Sequence, residues 1–515
     1  MRPWAPGALF VAMVAALVAV PIAARREVAA PPRGAATVIV LTANNEQIRS
    51  EFGSAFERWH LERHGSPVSV VWSTPGGAGE IRRMLEASAV AALRQGIPVG
   101  GSFDALFGGG AYEFEQLSKP ITVGTGAAAR SATVLEPIAF GDDWLRDTYG
   151  DGEIGGRRLF DAGGHWFGAA LSAFGIVYNN DSLSRLGVPA PAEWSALADP
   201  RLRREVALVN PAQSASVATA METILRREGW ERGWAILRRA AANARSIAAS
   251  GPRAPSDVSQ GEAAMAICID FYGRYQQQAV SDGGAPGRIG YIDPAGRTAF
   301  DPDPIAVLRG APHPELARRF VEFVLSPEGQ RLWQYRPGTE GGPREFALRR
   351  LPVRRFLYET ELDRFTDRVD PWKLVRAEPD ARPGFRALVA PLFVAMAVDN
   401  RALLREAWDL VASHPEYPRD GRVLVAADAT DPHLRALLEA FDAMPTVPGP
   451  GGERLSLADP ANLQAVGDGW LRGGWRDAAL WRAGDAPAEA FRRLLAGEVE
   501  RNLRHVIELA KENRR

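Results

Sequence analysis

The stretch "ATVIVLTANNEQIRSEFGSAFERWH" (36–60) holds the pattern that decides the fold. Its first seven residues are a β-branched apolar run that ends in the polar "ANNE", the mark of a buried strand entering a turn. Ile48, Phe52, Ala55, Phe56 and Trp59 then recur at helical spacing and make one apolar face. Gly65 and Pro67 stop that helix, "VSVVW" (68–72) is a second strand, and "STPGGAGE" (73–80) leads into another helix at "IRRMLEASAVAAL". A third strand, "FDALF" (103–107), runs into Gly108–Gly110. Strand–helix–strand–helix–strand with short connections predicts a parallel sheet under covering helices, an α/β class in which ligands bind at the carboxyl ends of the strands. Asn44, Asn45, Ser73, Thr74, Gly76, Gly77, Gly108, Gly109 and Gly110 stand at such ends and are candidate ligand contacts.

A second α/β block follows. "WFGAALSAFGIVYNN" (166–180) reads as a strand, "EVALVNPAQSAS" (205–216) as strand, turn and helix start, and "AAMAICIDF" (263–271) as a strand. At 515 residues the chain exceeds what one hydrophobic core usually supports, so at least two lobes are expected. Beyond about residue 345 the pattern turns helical and arginine-rich, closing with an amphipathic helix near 486–512. The apolar run "ALVAPLFVAMAV" (387–398), interrupted by Pro391, is too short to span a membrane.

Composition narrows the address and the partners. Lys plus Arg total 61 against 62 Asp plus Glu, which gives no sign of nucleic-acid binding. The segment "GALFVAMVAALVAVPIAA" (7–24), between Arg2 and Arg25, reads as an export signal or as an uncleaved membrane anchor, so a periplasmic or other extracytoplasmic location is expected. No cysteine lies near it to take a lipid, and the lone Cys268 excludes an internal disulfide.

The chemistry-bearing residues are those of a binding site. "STPGGAGE" lacks the Lys-Ser/Thr of a phosphate-hydrolysing loop, yet its backbone N–H groups ahead of a helix suit an anion. In "NPAQSAS", Ser214 and Ser216 either cap the next helix or offer hydroxyls to a ligand. His60 and His64, four apart, have no third metal ligand placed beside them, and His165 stands alone. Neither G-x-S-x-G nor H-E-x-x-H occurs, so no enzyme class is indicated and no metal or cofactor is expected.

Several stretches in this order, "FGIVYNNDSLSRLGVPAPAEWSALADPRL", "VALVNPAQSASVATAMETIL", "SQGEAAMAICIDFYGRY" and "PIAVLRGAPHPELARRFVEFVLSPEGQRL", resemble the extracellular solute-binding receptors of ABC importers, of the ferric-iron-binding protein type, over about residues 36–345. The resemblance implies a two-lobed, type II periplasmic-binding-protein fold with a helical C-terminal extension. The expected layout is a leader or anchor with a Pro-rich spacer over 1–35, first lobe 36–107, second lobe 108–298, return to the first over 299–345, and the extension 346–515. Hinges are expected near Phe107–Tyr112 and Phe300–Ile305. It further implies closure on a solute and delivery to an ABC permease, which the protein meets at the membrane, with Ser172, Asp270, Phe271 and Tyr272 joining the site. Iron-binding relatives use a His, a Glu and two consecutive tyrosines; the matching positions here are Asn44, Gly109, Phe271 and Tyr272, and only the last keeps a ferric ligand. An oxygen-rich or anionic organic solute, phosphorylated ones included, is therefore expected ahead of ferric iron or an iron chelate. An enzyme or sensor built on the same scaffold is the reading from another class.

Overall fold

The computed structural model describes residues 35–377, 384–471, 475 and 487–512. The leader expected over 1–35 falls outside the described residues except at its last position. Strands β1 (Ala36–Thr42), β2 (Val68–Ser73) and β3 (Ala105–Phe107) pair in parallel around β1, as the repeated strand–helix order requires. Between them run α1 (Glu46–His64) and α2 (Ala78–Gln95), each ended by a left-handed glycine, Gly65 and Gly96. The short α3 (Ala111–Leu117) follows the glycine triplet.

Strand β4 (Phe167–Asn179) is buried along nearly its whole length. It is followed by β5 (Val206–Val209), β6 (Ala244–Ala248), β7 (Met265–Ile269), β8 (Ile289–Ile292) and β9 (Phe300–Leu308). The sheet order is β6-β5-β7-β4-β9-β3-β1-β2, with β8 added to β4 and Leu135–Glu136 added to β9. One mixed sheet thus runs through the protein, and its two middle strands, β4 and β9, pair antiparallel. Helices α4 (Ala215–Glu228) and α5 (Trp230–Ala242) lie between β5 and β6, α6 (Asp270–Asp282) follows β7, and α7 (Pro314–Leu325) follows β9.

Apolar packing divides β4 at its middle. Phe167–Ala173 belong to a core with Phe52, Phe107, Phe320 and Trp333, whereas Phe174, Ile176 and Val177 belong to a core with Trp194, Met221, Trp234 and Ile267. The chain therefore changes core at 173/174, and it returns between Ile289 and Phe300. This moves the expected boundary at 107/108. Phe114, Leu117, Val134 and Trp166 pack under the β1–β3 half, so residues up to about 173 sit with the first core and not the second. The glycine triplet is a tight turn inside the first half rather than a crossover.

The region after 345 also divides. Leu348, Leu351, Val353, Tyr358 and Phe365 complete the first core, with Leu351 bridging to Leu171 of β4. Helices α8 (Phe385–Phe393), α9 (Arg401–Ala412), α10 (Pro432–Asp442) and α11 (Pro487–Glu512) instead join the second core, where Phe393, Trp408, Phe441 and Phe491 are buried. The amphipathic faces read from the sequence are thus spent inside the protein. Among the described residues no single helix is long and apolar enough to cross a membrane.

Candidate functional site

The carboxyl ends of β1, β2 and β3 meet the first turn of α4. Gly108 (φ +85°) and Gly109 (φ +128°) adopt backbone conformations that favour glycine. A Cβ on Gly108 would lie 2.5 Å from the Asn44 amide, so the turn closes only without a side chain. A Cβ on Gly110 would lie 3.8 Å from both Asp301 Oδ2 and Thr219 Oγ1, at the seam between the two halves of the sheet. Gly77 comes closest to the opposite side, since a Cβ there would lie 3.4 Å from the backbone oxygen of Gln213.

Three candidates from the first half have structural work. Asn45 Oδ1 accepts from Ile48 N at 3.0 Å and caps α1, and the Asn44 amide donates to Phe107 O at 3.3 Å beside the Thr42 hydroxyl, which bonds the same oxygen at 2.6 Å. Gly77 N donates to Glu80 Oε2 at 3.0 Å as half of a capping box for α2. Ser73 and Gly76 are half-buried at this turn and Thr74 is exposed.

Across the cleft, Ser214 occupies the cap position of α4 but makes no side-chain capping bond; its hydroxyl lies 3.2 Å from that of Ser216. A Cβ on Gly251 would stand 3.5 Å from Ser214 Oγ, 3.8 Å from Tyr272 Cε2 and 4.0 Å from Ser216 Oγ, so these groups face one point. The first N–H groups of α4 open there with the positive end of a 14-residue helix. Burial raises the Tyr272 phenol above its ordinary value, against the pull of Arg350, which keeps it a neutral hydroxyl.

Three of the expected contacts, Ser172, Asp270 and Phe271, are buried. Ser172 donates to Asp303 Oδ2 at 2.5 Å and accepts from Arg350 Nη2 at 2.7 Å. Asp270 is 0% exposed, starts α6, and lies 3.4 Å from Arg274 with neither carboxylate oxygen hydrogen-bonded. Phe271 is buried too, under the Arg350 guanidinium at 5.0 Å and against the Tyr272 ring at 4.1 Å. Arg350, which the sequence reading did not single out, thus sits where β4, β9 and α6 converge. Burial draws it down to about 10 against the attraction of Asp270 and Tyr272. Its only sequence signal is the pair of arginines in "LRRLPVRR" (348–355).

Burial pushes Asp270 up to about 7, with Arg274 opposing and Asp293 adding to the rise. A raised carboxyl binds its proton more tightly in the folded state, so its contribution favours folding at low pH and is lost as pH rises towards 7. Asp270→Asn is therefore expected to raise the melting temperature at pH 8 and to change it little at pH 5, because Arg274 keeps Asp293 at 2.5 Å. Thermal unfolding at the two pH values checks this; a larger loss at pH 8 than at pH 5 would show that the ionised pair stabilises the fold.

Metal ligation gains no support from the histidines. His60 Nδ1 lies 2.9 Å from Ser66 O and its Nε2 lies 3.1 Å from Arg319 Nη1. His414, Asp431 and His433 present ligand atoms within 4.8 Å of one another, but His414 Nδ1 accepts from Glu416 N at 3.3 Å. His414 Nε2 lies 3.5 Å from Asp431 Oδ1.

Beside the strand ends opens a cavity of about 1250 Å³, lined by Arg82, Lys119 and Arg157 from the first half, Ser214 and Thr219 of α4, and Arg386 of α8. Most of its charge is paired: Arg82 with Glu86 at 2.7 Å, Arg157 with Asp301 at 2.5 Å, Arg226 with Glu222 at 2.6 Å.

The cleft at the strand ends is walled by two α/β halves joined by two middle strands, and residues 156–338 match the family of bacterial extracellular solute-binding proteins. This segment is similar to an extracellular solute-binding domain. Its family is one of binding proteins, and its extracellular description agrees with the compartment expected from the leader-like N-terminus. The chain is 28% identical over 163 residues to the phosphoglycerate transport regulatory protein PgtC of Salmonella typhimurium, a match covering 32% of this chain and 39% of that protein. A protein of Haemophilus influenzae is 28% identical over 171 residues, covering 33% of this chain and 48% of that one. The chain thus spans less than half the length of these curated relatives. The periplasmic binding protein P5PA is 19% identical, with a TM-score of 0.50 over 72% of this chain and 98% of its own, and shares the fold. The matched residues span β4 to β9, while α8 to α11 lie beyond them.

Proposed function

We propose that the protein is an extracytoplasmic receptor that closes on a small oxygen-rich anionic solute, with phosphorylated organic acids the favoured class, and delivers it to an ABC-type permease. The observation that carries this reading is that Ser214, Ser216 and Tyr272 face one point beside Gly251 at the open N-terminus of α4, with Gly77 of the other half close to Gln213. The three hydroxyls and the first N–H groups of α4 can donate to phosphate or carboxylate oxygens, whereas Gly77 N is already taken by Glu80. The name of PgtC, a phosphoglycerate transport regulatory protein, favours the same class.

The two lobes would hinge in β4 near Ala173/Phe174 and in the segment before Phe300, and closure would bring Gly77 and Gln213 about the solute. The mechanism is binding and domain closure rather than catalysis. Ferric iron is disfavoured because Asn44 is committed to Phe107, Gly109 has no side chain, and Phe271 is a buried ring beneath Arg350. Native mass spectrometry of protein purified from its own host tests the reading: a bound organic phosphate or carboxylate is expected, and co-purified iron in its place would overturn it.

A further inference from the structure

The outer wall of the large cavity comes from the C-terminal helices, and no receptor lobe accounts for it. Residues 384–394, 464–471 and 488–492 contribute to that wall, all of them beyond the family match. Arg386, the second residue of α8, reaches inward from there. Its guanidinium lies 4.9 Å over the Tyr112 ring of α3, Nη2 donates to Ala215 O of α4 at 3.3 Å, and Nε is 3.8 Å from Glu222 Oε2. One side chain of the extension thus touches both halves of the cleft, beside the serines that open the first turn of α4.

Its charge is not fully used by the protein. Glu222 gives its nearer bond to Arg226 at 2.6 Å, so two guanidiniums share this carboxylate. The Nε of Arg386 is shielded from solvent and has no hydrogen-bond partner, and such buried donors are costly unless something else fills them. One face of the guanidinium is covered by the Tyr112 ring, and Arg386 lines a cavity larger than the roughly 300–1000 Å³ of ordinary ligand pockets.

Resting on the receptor reading above, we propose that the C-terminal extension is part of the solute site and that Arg386 is its specificity-determining residue. It takes a second anionic group, carried on a short carbon chain, from a solute whose first anion sits at the N-terminus of α4. Arg386 contacts the carbonyl of Ala215, the first residue of α4, so the two anion positions are neighbours at that helix start, about 5 Å apart. A three-carbon chain with a phosphate at one end and a carboxylate at the other spans such a gap, and a planar carboxylate matches the guanidinium fork. The extension therefore selects doubly anionic acids over simple phosphate esters.

Calorimetric titration of the full chain with glycerate 3-phosphate and with glycerol 3-phosphate tests this, because the two differ in a carboxylate against a hydroxymethyl. The native chain is expected to bind the former at least tenfold more tightly. Arg386→Gln is expected to bring the ratio close to one, and Arg386→Lys to give an intermediate ratio because charge remains while the fork is lost. The melting temperature of each variant separates lost recognition from lost folding, and if the glutamine variant does not fold, an undiminished ratio in the lysine variant overturns the proposal. Equal affinity of the native chain for both esters, or a preference that survives in Arg386→Gln, overturns it and leaves the receptor reading standing. Binding of neither ester, alongside iron binding, removes both.

Discussion

Asp442→Ala is expected to lower the free energy of unfolding by about 3–5 kcal/mol, the usual cost of removing one partner from a buried ion pair. Arg239 of α5 is 0% exposed and meets Asp442, at the end of α10, through two bonds of 2.8 and 2.9 Å, while Arg238 adds a third at 3.1 Å. Without the carboxylate, two guanidiniums stay buried in the second core with too few acceptors. Burial opposes the Asp442 charge, but Arg239 and then Arg238 outweigh it and hold the carboxyl below the usual carboxylate range. A depressed folded-state value stabilises the fold above the unfolded value of about 4 and loses that contribution as pH falls through the folded one. Urea unfolding at pH 7 measures the loss. A drop under about 1 kcal/mol, the level of an exposed pair, would mean the extension is only loosely held.

Gly77→Asp is expected to weaken solute binding by about 100-fold, with the melting temperature unchanged or slightly raised. Gly77 has the extended backbone of a helix cap (φ −73°, ψ 166°), where aspartate is a favoured residue, so folding has no reason to suffer. The new carboxylate would stand in the narrow gap before Gln213 O and repel an anion at the first turn of α4. Each tenfold loss corresponds to about 1.4 kcal/mol, and a like charge in direct contact readily supplies two such steps. Unchanged affinity would place the solute elsewhere.

These two sites differ in how far the sequence reveals them. Strands β1 to β3 were legible because each is an apolar run closed by polar or glycine punctuation, and the family-like stretches placed β4, β5 and β7. The exchange between cores was not legible, since Ala173 and Phe174 lie inside an unbroken buried strand with no turn signal. The hinge expected near Phe107–Tyr112 came from the resemblance, and glycines in sequence mark a tight turn without saying where in the tertiary fold it lies. Ser214 and Ser216, singled out as a helix cap, lie near Tyr272, which the resemblance brought in, whereas Ser172 and Asp270, also brought in by the resemblance, are buried beneath Arg350 and beside Arg274. Period and turn residues say which side of an element is apolar. They do not say which distant arginine covers it, and Arg350 and Arg386 reach their partners from 178 and 171 residues away.

The central claim, that the cleft receives an anionic organic solute, is tested most directly by titrating the full chain with phosphorylated three-carbon acids and, separately, with ferric citrate. The account predicts saturable one-site binding of the phosphorylated acids that Gly77→Asp removes, and no binding of iron. A visible tyrosinate absorption on adding iron, lost in Tyr272→Phe, together with no heat from any phosphorylated acid, would contradict it.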